Sequence, residues 1–165
     1  TAPKPTPIPR KQPMPTSFRD AERSDFDQWL TLWAGYNAFY KRTGPTAVSR
    51  ETTERTWNRF FDHYEPMHCC VAEDGGTLLG LVHFIYHRNT TMHGPTCYLQ
   101  DLFTNQQARG QGIGTGLIEA VYERAASVGA ERVYWHTQED NATARRVYDA
   151  VARKSGFIVY QHSLG

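Results

Sequence analysis

A strand-like run, a glycine-rich turn and the start of a helix follow one another in the middle of the sequence and constrain its fold more than any other feature. The run covers Tyr98 to Thr104, and the turn covers Arg109 to Thr115. The first N–H groups of a helix have no partner within the helix and carry the positive end of its dipole. Glycines let an anion approach the backbone because they lack a Cβ atom. The segment therefore predicts an anion site at the N–H groups of Gln111 to Thr115, with Arg109 adding a charged hydrogen bond.

Three known glycine patterns can be compared with this turn. A dinucleotide fingerprint needs Gly-x-Gly-x-x-Gly and an acidic residue at the end of the next strand. Here Gly110, Gly112 and Gly114 give Gly-x-Gly-x-Gly, and Val133 to Thr137 ends in no acid. A P-loop ends in Gly-Lys-Ser/Thr, and this turn contains no lysine. The pattern that remains is Arg-x-x-Gly-x-Gly, and a purely structural strand-to-helix turn also stays open.

A second motif follows one helix and one strand later. Asn141, Ala144 and Tyr148 form Asn-x-x-Ala-x-x-x-Tyr, and Gly156-Phe157 comes after them. Together with Arg-x-x-Gly-x-Gly, this motif resembles the GNAT superfamily of N-acetyltransferases over about Phe18 to His162. The similarity is greatest to spermidine/spermine acetyltransferase-like members and to small fungal members described as acting on histones or amino acids.

The resemblance implies acetyl-CoA as a co-substrate and an acetyl group moved to a primary amine by direct attack in a ternary complex. The acceptor would be a small amine, an amino acid or a lysine of a basic protein. A catalytically weak CoA-binding regulatory module is the alternative. By resemblance, the contacts to CoA come from the central strand, the glycine turn and the second motif: Leu102, Phe103, Thr104, Arg109, Gly110, Gln111, Gly112, Ile113, Gly114, Thr115, Asn141 and Ala144.

Transfer needs an uncharged amine, a stabilised oxyanion and a proton for the leaving thiolate. The resemblance implies that the backbone of Leu102 to Thr104 stabilises the oxyanion and that Tyr148 supplies the proton. A buried packing role for Tyr148 stays open.

The general base departs from the family pattern, because Gln100 stands where the relatives have Glu in Tyr-Leu-Glu-Asp-Phe-Phe. An amide cannot take a proton, and strand alternation turns Asp101 to the other face unless a bulge intervenes. His136 could act near neutral pH. We favour a water relay anchored by Gln100 and Asp101. The missing carboxylate also argues against a polyamine acceptor.

Two helices before the sheet carry most of the aromatic residues. Ser24 is predicted to cap the first, whose aromatic side chains recur at helical spacing, and Ser49 the second. The resemblance places this helical pair beside the acceptor. The predicted acceptor contacts are Tyr36, Tyr40, Trp135 and His136, although a core role for the two tyrosines stays open.

Predicted strands and helices alternate in a way that favours an α/β (α+β) fold. The resemblance specifies a GNAT-type mixed, mostly antiparallel central sheet with helices on both faces. A single domain covers residues 17–165 after a proline-rich flexible tail at 1–16. The predicted strands are Ser17 to Asp20, His68 to Glu73, Leu78 to His87 with a bulge near Gly80, Tyr98 to Thr104, Arg132 to Thr137 and Phe157 to His162.

Net charge and residue composition limit the kinds of binding partner and the cellular compartment that we expect. A net charge of +1 produces no strong field toward nucleic acid or membrane, so neither is expected as a partner. No signal peptide is visible, and three cysteines with an adjacent pair suit a reducing compartment, so the cytoplasm or nucleus is expected. No metal is expected, since no Cys or His pair has ligand spacing. Related small family members form dimers, and a homodimer is expected.

Overall fold

The computed structural model describes residues 15–165, so the predicted proline-rich tail lies outside the described residues except for its last two positions. The strands are β1 (Ser17–Asp20), β2 (Met67–Asp74), β3 (Thr77–His87), β4 (Thr96–Thr104) and β5 (Arg132–Tyr134). The helices are α1 (Phe26–Phe39), α2 (Arg50–Arg59), α3 (Ile113–Ser127) and α4 (Ala142–Val151). Within residues 15–165, no helix is long and apolar enough to cross a membrane.

The five strands form one mixed sheet in the order β1-β2-β3-β4-β5. The first four pair antiparallel, and β5 pairs parallel to β4. Helices cover both faces, with α1 against β3 and β4 and α3 against the opposite face. This arrangement confirms the predicted fold class.

Strand alternation divides the core into two layers. On the α3 face, Val82 and Phe84 of β3 pack with Leu117 and Val121 of α3. On the α1 face, the predicted aromatic stripe is confirmed as core, and its most buried members are Trp29, Trp33, Tyr36 and, from α2, Trp57. The two layers together bury the middle of β3 on both faces.

A β-bulge at Gln100 sets the direction of the next side chain. Phe84 pairs with Leu99, whereas His83 pairs with Asp101, so Gln100 has no partner in β3. The extra residue shifts the alternation and turns Asp101 toward α1, the exception that the sequence left open. The bulge predicted near Gly80 is also present, since the register between β2 and β3 shifts beside it.

The start of α1 differs from the prediction. Ser24 does not cap the helix; a short 3₁₀ turn precedes α1, and Glu22 and Asp25 form its capping box. Arg19 holds the Asp25 carboxylate through two bonds of 2.7 and 2.9 Å, which stabilises this turn. The Ser49 cap on α2 is confirmed, because its hydroxyl accepts from the Thr52 N–H.

The end of the chain also differs. The fifth strand stops at Tyr134 rather than Thr137, and Phe157 to His162 does not form the predicted strand. The side chains from Phe157 to Tyr160 are exposed. Alternation in sequence is not sufficient for a strand, which also needs a paired neighbour to satisfy its backbone groups.

Candidate active site

A wedge opens between the two parallel strands. β5 pairs with β4 at only three positions, and the last joins Tyr98 to Tyr134. From Leu99 to Thr104, this edge of β4 has no strand partner among residues 15–165. Alternate backbone N–H and C=O groups along the wedge are therefore available to an extended ligand or a reacting oxygen. The predicted oxyanion segment lies on this edge.

The glycine turn lies at the carboxyl end of the same strand. A Cβ built on Gly114 would lie 3.9 Å from Thr104 Oγ1, which shows how near α3 begins to β4. Gly110 and Gly112 have φ values of 77° and 78°, a conformation that glycine adopts at little cost. No side chain caps α3, whose first residue is Ile113. Its first N–H groups thus lack a side-chain acceptor, as an anion site requires.

Arg109 stands beside these groups. It is exposed, and its guanidinium makes no hydrogen bond or salt bridge with the part of the chain that the structure describes. A guanidinium in this state can bind a phosphate without first losing another partner. The turn therefore fits the diphosphate of a nucleotide cofactor.

Helix α4 presents a phenol to Trp135, the residue that follows β5. Asn141 caps the helix by accepting from the Ala144 N–H at 3.3 Å. Tyr148, two turns on, packs edge-on against Trp135 with 5.3 Å between ring centroids. Burial, followed by the neighbouring Tyr40 phenol, raises the pKa of Tyr148 to about 12. The phenol is therefore protonated at neutral pH and able to donate.

The predicted acceptor tyrosines lie together at the end of α1. The Tyr36 and Tyr40 rings are 4.9 Å apart, and Tyr36 lies edge-on to Phe103 of β4 at 6.4 Å. Burial, and next the charge of Asp101, raise the pKa of Tyr36 well above its ordinary value. The charge of Tyr40 also contributes to the raised pKa of Tyr148, so Tyr40 lies on the side of the pair that faces α4. Tyr36 is buried, so its ring serves the core as well.

The two central polar residues of β4 occupy different environments. Gln100 is exposed at the bulge, whereas Asp101 is 9% exposed. One Asp101 oxygen, Oδ2, lies 2.9 Å from His83 Nδ1. The carboxylate and the amide therefore do not share one surface.

His136 belongs to a second group, at the opposite end of β4. Its Nδ1 lies 3.2 Å from the Tyr98 hydroxyl, and the neighbouring Tyr134 hydroxyl lies 2.8 Å from His87 Nε2. The structure does not bring His136 into contact with Tyr36 or Tyr40. No group of three His, Cys, Asp or Glu side chains within residues 15–165 is arranged to hold a metal ion.

Two residues beside the acceptor tyrosines were not predicted. Arg42 places its guanidinium 5.4 Å from the Tyr40 ring and 5.8 Å from the Tyr36 ring. Lys41, with φ of 58°, turns the chain back at the end of α1 and so directs Arg42 to these rings. A basic residue just after an aromatic stripe could have indicated this contact.

The contact between His83 and Asp101 was not predicted either. It had no local signal in the sequence, since the two residues are 18 positions apart.

Comparisons with known proteins give a family match and several relatives. The model of the acetyltransferase (GNAT) family matches residues 18–152. The D-amino-acid N-acetyltransferase HPA3 of Saccharomyces cerevisiae is 32% identical over 144 residues, which cover 86% of this chain and 87% of that protein. The thialysine N-epsilon-acetyltransferase of Mus musculus is 31% identical over 146 residues, 81% of each chain.

Solved structures match in fold. The aminoglycoside N-acetyltransferase AAC(6')-Iy in complex with CoA has a TM-score of 0.78 at 14% identity, over 96% of this chain and 99% of that one. An aminoglycoside acetyltransferase from an uncultured soil metagenomic sample, in complex with sisomicin, has a TM-score of 0.77 at 16% identity, over 91% and 97%. At these identities the likeness concerns the fold.

Proposed function

The chain belongs to the acetyltransferase (GNAT) family and is an N-acetyltransferase, and on that premise we propose that it moves the acetyl group of acetyl-CoA to the amine of a free amino acid. Transfer occurs by direct attack in a ternary complex. Small amines without a carboxylate and protein lysines are the acceptors to compare with amino acids.

One observation carries this proposal. The open N–H groups at the start of α3 and the open edge of β4 from Leu99 to Thr104 meet at Gly114 and Thr104. The diphosphate of CoA binds the first set together with Arg109, and the thioester arm extends along the second. Both sets are backbone groups in fixed positions, as oxyanion stabilisation requires.

The reaction needs two proton transfers, one to the leaving thiolate and one away from the attacking amine. The amine nitrogen forms a bond to the thioester carbon, and the carbon–sulfur bond then breaks. Tyr148 gives its phenolic proton to the leaving thiolate, and backbone N–H groups near Leu102 to Thr104 stabilise the oxyanion. The proton released by the amine passes to water held by Asp101, because Gln100 lies on a separate, exposed surface.

Charges near Tyr36 support an amino-acid acceptor. Asp101 raises the pKa of the Tyr36 phenol and Arg42 lowers it, so a negative and a positive group lie beside one ring. A free amino acid arrives with the complementary pair of charges, an ammonium group and a carboxylate. The guanidinium of Arg42 binds the carboxylate, and the amine lies toward Asp101. The names of two relatives, acting on D-amino acids and on thialysine, support the same class.

The test is thiol release from acetyl-CoA with matched acceptors. The panel contains L- and D-amino acids, the amines that correspond to them without the carboxylate, a polyamine and a lysine-containing histone peptide. We expect the highest kcat/KM with an amino acid. Turnover of the amines alone would contradict the acceptor class. A melting temperature raised by NAD or ATP but not by CoA would contradict the cofactor.

We also propose a homodimer. Four consecutive side chains at the carboxyl end support it, because Phe157, Ile158, Val159 and Tyr160 are 88, 74, 64 and 88% exposed. An apolar run of this kind marks an interaction site.

The cysteines support a reducing compartment, which we propose is the cytoplasm or nucleus. Cys69, Cys70 and Cys97 are all free and buried. Burial raises the pKa of each thiol, which keeps the thiols unreactive.

A further inference from the structure

A buried histidine on β3 takes no part in the chemistry proposed above. His83 is 2% exposed and lies among rings from α1 and from the end of α2. Its ring centroid is 4.7 Å from Phe60, 5.1 Å from Trp33 and 5.9 Å from Trp29. A polar ring in such surroundings is costly unless both nitrogens have partners. The two partners of His83 therefore define its state.

The hydrogen bonds of His83 fix its tautomer. The Trp29 indole N–H donates to His83 Nε2 at 3.0 Å, and His83 Nδ1 lies 2.9 Å from Asp101 Oδ2. An indole nitrogen is a donor only, so Nε2 must keep its lone pair. The single ring proton is consequently on Nδ1, from which it is donated to Asp101. A doubly protonated ring would bring two hydrogens face to face at Trp29.

Asp101 reaches this place through the bulge at Gln100. Its Oδ2 is occupied by His83, and the Tyr36 phenol is a second donor beside the carboxylate. The carboxylate also lies close enough to the Tyr36 phenol to raise its pKa. One oxygen is thus anchored in the core, while the other is left beside the acceptor tyrosines.

We propose that His83 is a positioning residue for acetyl transfer, an inference that rests on the proposed function: held neutral by Trp29, it fixes one oxygen of Asp101 and leaves the other to the acceptor amine. A neutral His83 leaves Asp101 its full charge. An imidazolium would cancel that charge and weaken the attraction for the amine. Trp29 thereby keeps the acceptor site insensitive to pH in the range in which a histidine ordinarily titrates.

The other groups facing His83 do not titrate in that range. Cys69 of β2 pairs opposite His83, and Tyr36 extends from α1. Burial raises the pKa of the Cys69 thiol and of the Tyr36 phenol well above ordinary values. Phe60 and the indoles carry no charge. A change in pH dependence that appears on losing the Trp29 N–H can then be traced to the contact between His83 and Asp101.

The main experiment removes one proton donor. Trp29→Phe keeps an aromatic ring but loses the N–H, so Nε2 becomes able to take a second proton. We expect the ratio of variant to wild-type kcat/KM for the acceptor to fall as the pH drops below about 7, near the ordinary histidine pKa of about 6.5. Taking the ratio cancels the ionisation of the acceptor amine, which both proteins share. A ratio independent of pH overturns the proposal.

Two variants of His83 separate positioning from packing. His83→Leu cannot donate to Asp101 and should lower kcat/KM for the acceptor about 100-fold, the loss typical of a misplaced group. His83→Asn can donate from its amide, and should recover most of that loss. The double variant Trp29→Phe/His83→Asn has no ring to protonate and should lose the acid limb. In each variant, an unchanged Kd for CoA shows that the fold is intact. Wild-type kcat/KM in His83→Leu overturns the proposal.

A measurement on the wild-type protein does not depend on any variant folding. Nitrogen-15 NMR of the histidine rings reports which nitrogen carries the proton. From the hydrogen bonds with Trp29 and Asp101, we expect the neutral Nδ1–H form of His83 at pH 7. An imidazolium or an Nε2–H form at pH 7 overturns the proposal even if no acceptor has been found. Failure of every amine in the panel would instead contradict the proposed function, and the positioning role with it.

Discussion

The phenolic oxygen of Tyr148 distinguishes a catalytic role from a packing role, because only the catalytic role needs it. Tyr148→Phe keeps the ring that contacts Trp135 and removes only the hydroxyl. General acid catalysis contributes about 10²–10⁴-fold, so kcat should fall by that range. The Kd for CoA, measured directly by calorimetry, should change little. More than about half of wild-type turnover would mean that Tyr148 is a packing residue and that water supplies the proton.

Substitutions of Arg42 test whether this residue recognises the carboxylate of the acceptor. Arg42→Gln removes a charged hydrogen bond of about 1.5–3 kcal/mol, so KM for an amino acid should rise about 10- to 150-fold. KM for the corresponding amine without a carboxylate should stay within about twofold. Arg42→Lys, which keeps the charge but loses the planar fork, should lie between these results. An equal rise for both acceptors would exclude recognition of the carboxylate.

The placement of Gln100 and Asp101 could not be predicted from the sequence. Gln100 and Asp101 are adjacent, and their order gives no sign that one is exposed and the other buried. Their placement depends on the register against β3, where the bulge removes Gln100 from the pairing. The contact from Trp29 to His83 spans 54 positions and likewise has no local pattern. Asn141, by contrast, caps α4 through a bond to the residue three positions later, which is a contact within one segment of the sequence.

At the scale of elements, the turn before α3 depends on left-handed backbone. Gly112 has φ of 78°, where a Cβ costs about 1–2 kcal/mol. Gly112→Ala should lower the free energy of unfolding by that amount and weaken CoA binding, because the first N–H groups of α3 shift. Gly156→Ala is the matched control: a Cβ there meets nothing within 4 Å, and stability should not fall. Chemical denaturation and calorimetry measure both effects, and equal losses in the two variants would contradict this reasoning.

The 3₁₀ turn before α1 should respond to acid. Arg19 holds Asp25, and this hydrogen bond lowers the pKa of the Asp25 carboxyl. A lowered pKa in the folded state stabilises the protein above the unfolded value of about 3.9, and the gain is lost as the pH falls through the folded value. Arg19→Met should cost about 1.5–3 kcal/mol at neutral pH and progressively less below about pH 4.

Urea unfolding at several pH values measures this difference. Arg55→Met is the control, because Arg55 and Glu51 form an exposed pair in α2 with side chains 62 and 80% accessible. Such pairs contribute about 0–1 kcal/mol. A constant difference between wild type and Arg19→Met down to pH 2 would show that Asp25 does not titrate through this contact.

Elements whose signals are local were predicted well, and those that depend on distant partners were not. The Ser49 cap and the aromatic face of α1 follow from spacing within one helix. Ser24 was wrongly predicted to cap α1. Arg19 of β1 binds Asp25, and this contact between distant elements stabilises a different turn. Phe157 to His162 has a strand-like composition, but no strand of the sheet pairs with it.

For the whole molecule, the exposed carboxyl-terminal run predicts association. We expect light scattering at micromolar concentration to give the mass of a dimer. Phe157→Ser with Tyr160→Ser removes two large exposed rings and should shift the mass toward the monomer. Tyr64→Ser is the control, since Tyr64 is equally exposed, at 86%, but does not belong to a run of exposed apolar side chains. A monomeric wild-type protein would contradict the proposed dimer.

The wedge between β4 and β5 has a consequence for how this protein can change its specificity. The surfaces proposed to carry the thioester and the oxyanion are backbone groups of Leu99 to Thr104 and of the start of α3, which most substitutions leave in place. The surface proposed to choose the acceptor consists of side chains at the end of α1. Mutations there can exchange one amine for another while the transfer machinery is retained. The fold thus keeps the transfer reaction constant while the acceptor specificity varies, so a few substitutions at the end of α1 are enough to evolve a new acceptor.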